Sequence, residues 1–151
     1  NYWDALDMLV ASMPDTPVRA GLRGNALVTF SISPKALMDL WVRRLCAHGV
    51  RSFWIYDVLL GTDNMLRLAK VAKEANAQVA GAIMFALSPV HTDQYFVDKA
   101  KILAADPNVD SILLYDTAGV LERERLKTLV PALKKIANGK PKAECASQTP
   151  R

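Results

Sequence analysis

A short apolar or β-branched run, a polar turn and an amphipathic helix recur along the chain, and this repetition restricts it to folds built from parallel strands. The predicted strands are Pro17 to Leu22, Ser52 to Tyr56, Gln78 to Phe85, Ser111 to Tyr115 and a last one from Pro141 to Ala146. They begin about 26 to 35 residues apart, close to the size of one strand–helix unit. Helices fill the gaps with 3.6-residue spacing, seen in Leu126, Leu129, Val130, Leu133 and Ile136, and in Leu37, Trp41, Leu45 and His48. Asn1 to Met13 also reads as helical. The punctuation agrees: Ser33-Pro34 reads as N-cap and first helical residue, Gly49 and Gly139 as glycines just past helix ends, and Ser88-Pro89 as a turn.

Parallel strands joined by helices leave an open doubly wound sheet or an arc of a closed (β/α)8 barrel, and a whole barrel takes about 250 residues. With 151 residues the chain holds enough for one domain, residues 1–151, and for about half a barrel. The edge strands of a half barrel present unpaired backbone groups, so a homo-oligomer or a complementing chain segment is expected to cover them. The terminal AECASQTPR reads as a frayed end.

Composition narrows the function classes. A net charge of +4, from 19 basic and 15 acidic residues, is mild, and the basic residues are spread over helices instead of forming one patch with aromatics. A nucleic-acid partner is not expected. No apolar run reaches the roughly 18 residues of a membrane span, and nothing reads as a secretory signal, since Asn1 to Met13 carries Asp4 and Asp7 inside a helical pattern. Cys46 and Cys145 show no metal or disulfide spacing, which fits a cytoplasmic location.

In parallel α/β folds the site lies beyond the carboxyl ends of the strands. Those ends carry Arg23-Gly24, Asp57, the turn Ser88-Pro89-Val90-His91-Thr92, and Asp116-Thr117. Arg23 either forks onto a ligand carboxylate, with Gly24 turning the backbone away, or pairs with Asp57 or Asp116. Asp57 either caps its own turn or supports a site. Asp116, set between Tyr115 and the small Thr117-Ala118-Gly119, is read as a site residue. His91 has no second histidine near it and His48 sits at a helix end, so no histidine metal pair is expected. Trp3, Trp41 and Trp54 read as core.

Four segments in order, LRGNALVTF at 22–30, VRSFWIYD at 50–57, SPVHTDQYFVDKAK at 88–101 and ILLYDTAGVL at 112–121, resemble the carboxyltransferase domain of biotin-dependent enzymes. The likeness is to the oxaloacetate decarboxylase alpha subunit, the large transcarboxylase subunit and pyruvate carboxylase. Trp3 through Met13-Pro14-Asp15-Thr16 is similar to the family's opening helix and turn. It spans strands two to about six of the family's (β/α)8 barrel.

The resemblance implies a small 2-keto acid substrate, a divalent metal (Zn, Mn or Co) that polarises it, and carboxybiotin delivered by a biotin carrier domain. It implies a substrate-binding role for Arg23, with Asp57 nearby. Phe30 falls where a tyrosine is usual, so the hydroxyl is lost. Asp116 matches the aspartate of the family's Lys-Asp-Met-Ala-Gly, and with Tyr115 it is the expected catalytic pair. Yet Tyr115 stands where the family has a carbamylated, metal-binding lysine, and a phenol cannot be carbamylated. The family's His-x-His register reads Glu144-Cys145-Ala146 followed by Ser147-Gln148-Thr149, and its first-strand aspartate would precede Asn1. No metal ligand of the family set is therefore expected. Three functions follow: a carboxyltransferase-like enzyme or a fragment of one, a metal-dependent carbon–carbon lyase of the hydroxymethylglutaryl type, or a non-catalytic barrel scaffold.

Overall fold

Alternation along each strand decides which way its side chains face. In β1 (Arg19–Arg23), β2 (Ser52–Tyr56), β3 (Gln78–Met84) and β4 (Ser111–Asp116), one set of residues is aliphatic or phenylalanine: Leu22, Phe53, Ile55, Val79, Ile83, Ile112 and Leu114. This set packs with Met38, Val42, Leu68, Phe96, Leu103 and Leu129 from the helices. The computed structural model describes residues 1–28 and 30–137, together with the backbone of β5 (Lys142–Ser147). The helices are α1 (Tyr2–Ser12), α2 (Lys35–Ala47), α3 (Thr62–Glu74), α4 (Asp93–Ala105) and α5 (Arg123–Ala137).

All five strands are parallel and lie in the order β1-β2-β3-β4-β5. A doubly wound sheet reverses its strand order at a switch point and carries helices on both faces. Here the order never reverses, and α2 through α5 pack each against the next. The fold is thus an arc of a (β/α)8 barrel, one of the two architectures that the repetition left open and the one that the family resemblance implied.

The strands fall within two residues of their expected bounds, and the helix ends show why. Gly49 adopts φ +92°, and the N–H groups of Gly49 and Val50 reach the carbonyls of Cys46 and Leu45 at 3.1 and 3.0 Å. This double bond closes the last turn of α2 and needs a left-handed residue. Asn76, at φ 59°, ends α3 the same way, with Asn76 and Ala77 donating to Lys73 and Ala72. Gly139 and the tail after Ser147 lie outside the described residues.

Two expectations shift. Pro34, not Ser33, is the N-cap of α2, and the Ser33 hydroxyl instead accepts the Leu27 N–H at 3.2 Å. The buried stripe of α2 is Met38, Val42, Leu45 and Cys46, whereas Leu37 is 46% exposed. The reason lies in α1, which takes up the other apolar face. Trp3 packs against Trp41 and stacks on His48, with centroids 5.2 and 4.8 Å apart, while His48 Nδ1 lies 2.7 Å from Asp7. His48 is therefore both the C-cap residue of α2 and the joint that holds α1.

Candidate active site at the carboxyl ends of the strands

The other face of the sheet, the inside of the barrel arc, is built differently. Register aligns Gly21, Trp54 and Ala80 in one row, and Arg23, Tyr56, Ala82 and Leu113 in the next, with Met84 beside Tyr115 above them. The middle strand thus contributes alanines where β2 contributes rings, and Met84 where β4 contributes Tyr115. Across them the rings meet. Trp54 lies 4.6 Å edge-on from Tyr115 and 5.0 Å, stacked, from Tyr56, and the two tyrosines are 6.1 Å apart. Gly21 makes room on the other side, since a Cβ there would stand 2.6 Å from Trp54 Cζ2. Offset and edge-on ring pairs of this kind add about 0.5–1.5 kcal/mol beyond the area they bury.

Above this aromatic floor is a half-open cavity of about 460 Å³. Arg23, Asn25, Tyr56, Tyr115 and Thr117 give its polar wall, and Phe30, Ile32, Val58 and Met84 its apolar wall. Arg23 ends β1, and its Nε donates to the Tyr56 hydroxyl at 3.1 Å while the guanidinium sits 4.6 Å over the Phe30 ring. A guanidinium held over a ring in this way gains about 0.5–2 kcal/mol. Of the residues expected at the site, Arg23, Phe30 and Tyr115 are brought together at this cavity.

Asp57 and Asp116 are engaged elsewhere. Each is 3% exposed. Asp57 Oδ1 accepts the Leu59 N–H at 2.9 Å, and its other oxygen lies against Gly24 and Gly61, where a Cβ would come within 3.0 and 3.2 Å. The two oxygens of Asp116 accept the N–H groups of Val120 and Leu121 at 3.1 and 2.9 Å. Gly119, at φ 66°, lets the chain curl back to make those bonds. The small residues after Asp116 therefore serve its own turn. Neither carboxylate forms part of the cavity wall.

Sequence reasoning missed Tyr56, Met84, Asn25, Ile32 and Val58. For Tyr56 there was a signal: it lies two residues from Trp54 in a strand, hence on the same face, and next to the Asp57 already singled out. His91 belongs to a separate knot outside the cavity wall. Its Nδ1 is 2.7 Å from Ser88 Oγ, its ring stacks on Phe96, and its carbonyl accepts from Arg125. Arg125 also donates to Asp93 at 2.8 Å, and Thr128 reaches the other Asp93 oxygen at 2.7 Å. Burial pushes the Asp93 carboxyl up, but these hydrogen bonds and the Arg125 charge outweigh it and hold it below its usual range.

Comparison with known proteins places this geometry. The chain is 36% identical over 132 residues to a pyruvate carboxylase subunit of Methanocaldococcus jannaschii, a match covering 87% of this chain and 23% of that protein. The chain is similar to part of that subunit. The methylmalonyl-CoA carboxyltransferase 5S subunit of Propionibacterium freudenreichii is 28% identical over 132 residues, 87% of this chain and 26% of that one. The carboxyl transferase domain of Rhizobium etli pyruvate carboxylase, solved with pyruvate and biocytin, superposes with a TM-score of 0.87 at 23% identity, over 95% of this chain and 25% of that one. No family model matches the chain. This chain spans about a quarter of the length of these carboxyltransferase relatives.

The carboxyltransferase resemblance supplies a metal, and the described side chains do not fit one held in that way. Tyr115, at the lysine position, is only 6% exposed and is packed into the ring cluster. Among the described residues no group of three or more His, Cys, Asp and Glu is close enough to share an ion. The His-x-His register at Glu144 to Thr149 lies outside the described side chains. Among the described residues no helix is long and apolar enough to cross a membrane.

Proposed function

We propose that the chain forms the part of a carboxyltransferase-like barrel that grips the carboxylate of a small 2-keto acid. The observation that carries this reading is the Arg23 guanidinium on a cavity wall at the strand ends, oriented by the Tyr56 hydroxyl and the Phe30 face. A guanidinium is planar and suits bidentate contact with a carboxylate. Tyr115 and Tyr56 line the same wall, and a phenol is able to donate to a keto or carboxylate oxygen. Asp116 and Asp57 act in this reading by holding the two loops that border the site.

The same reading brings a carboxybiotin donor, a biotin carrier domain as partner, and a cytoplasmic location. The remainder of the barrel comes from another segment or a second copy. A divalent metal, zinc, manganese or cobalt, would supply Lewis-acid stabilisation of the enolate in a complete site. Tyr115 cannot provide the family's ligand to it.

Titration of the purified protein with oxalate and pyruvate tests the reading. Arg23→Ala should weaken oxalate by roughly 1.5–3 kcal/mol, the size of a charged hydrogen bond. Unchanged oxalate affinity in that variant removes Arg23 from the site. One observation favours a second reading, a non-catalytic scaffold: the lysine position is filled by a tyrosine packed between rings. Elemental mass spectrometry separates the two. About one zinc, manganese or cobalt per chain would speak for a rebuilt catalytic centre, and keto-acid binding with no metal would speak for the scaffold.

A further inference from the structure

We draw no further inference here: the strongest candidate, the Ser88–His91 side-chain pair in the turn before α4, with Oγ and Nδ1 2.7 Å apart, carries nothing because its hydrogen bonds close its own turn, the Ser88 hydroxyl also accepting the Val90 N–H, and among the described residues no second group beside it points to a ligand.

Discussion

Replacing Asp116 by alanine separates a loop-holding role from a role in chemistry. The carboxylate is buried at the end of β4 and accepts two backbone hydrogen bonds, from Val120 at 3.1 Å and Leu121 at 2.9 Å. Bonds to a charged acceptor contribute about 1.5–3 kcal/mol each. Two would give roughly 3–6 kcal/mol if both donors were stranded in a dry interior. Thr117, Ala118 and Gly119 are exposed, however, so water reaches the freed N–H groups once the turn loosens. A net loss of about 2–4 kcal/mol is therefore expected for Asp116→Ala. For a chain of this size that corresponds to a fall in Tm of roughly 5–15 °C.

Asp116→Asn sharpens the test, because an amide keeps one acceptor oxygen but turns a donor towards a backbone N–H. It should lose about as much stability as alanine, although it is nearly isosteric. Urea denaturation and hydrogen exchange at Val120 and Leu121 provide the readout, with loss of protection confined to the loop between β4 and α5. Oxalate affinity should fall only modestly, through Thr117 on the cavity wall. A variant of unchanged stability and protection that no longer binds oxalate would refute this reasoning and make Asp116 a group that touches the ligand.

Ala82→Leu would drive a branched side chain between Tyr56 and Leu113 at a fully buried position, so overpacking of about 1–3 kcal/mol is expected. The near-ultraviolet signal of Trp54 should change with it, and an unaltered spectrum at unchanged stability would show that the rings do not meet across β3. The Asp93 carboxyl has a lowered pKa, so its contribution is present above the ordinary value of 3.8 and is lost as the pH falls through the folded-state value. The stability gap between the protein and Asp93→Asn should accordingly be full near neutrality and close in strong acid. A gap that stays constant across that range would contradict the Arg125 and Thr128 contacts as its source.

Much of the fold was legible because parallel strands covered by helices read as continuous apolar runs, and β2 was found at its observed bounds from Ser52-Phe53-Trp54-Ile55-Tyr56. The apolar stripe of α2 was read one residue out of phase, because Trp41 and His48 are genuinely packed, but against α1 and not against the sheet. Helical periodicity reports that a face is buried without saying by what. At the site, Arg23 and Tyr115 could be picked out by their place at strand ends, and Phe30 only through the family resemblance. Their meeting with Tyr56 and Met84 could not, since it depends on a register that joins residues more than thirty positions apart. Asp57 shows the opposite case. Its bond to the N–H two residues on is local chemistry that aspartate offers in any turn, and the capping alternative in the sequence described it.

The two faces of the sheet answer to different constraints, and this explains how a tyrosine can stand where the family resemblance expects a lysine. Outward residues such as Phe53, Ile55 and Ile83 are wedged between strands and helices, so their volume is fixed by the fold. Inward residues see only one another and the cavity. A phenol at position 115 needs space on the inner face, and that space comes from Ala80 and Ala82 on β3, with Gly21 admitting Trp54 beyond them. Small residues on β1 and β3 and large rings on β2 and β4 form one packing solution, in which Tyr115 is a member and not an intruder. A lysine at position 115 would lose the edge-on contacts to both Trp54 and Tyr56.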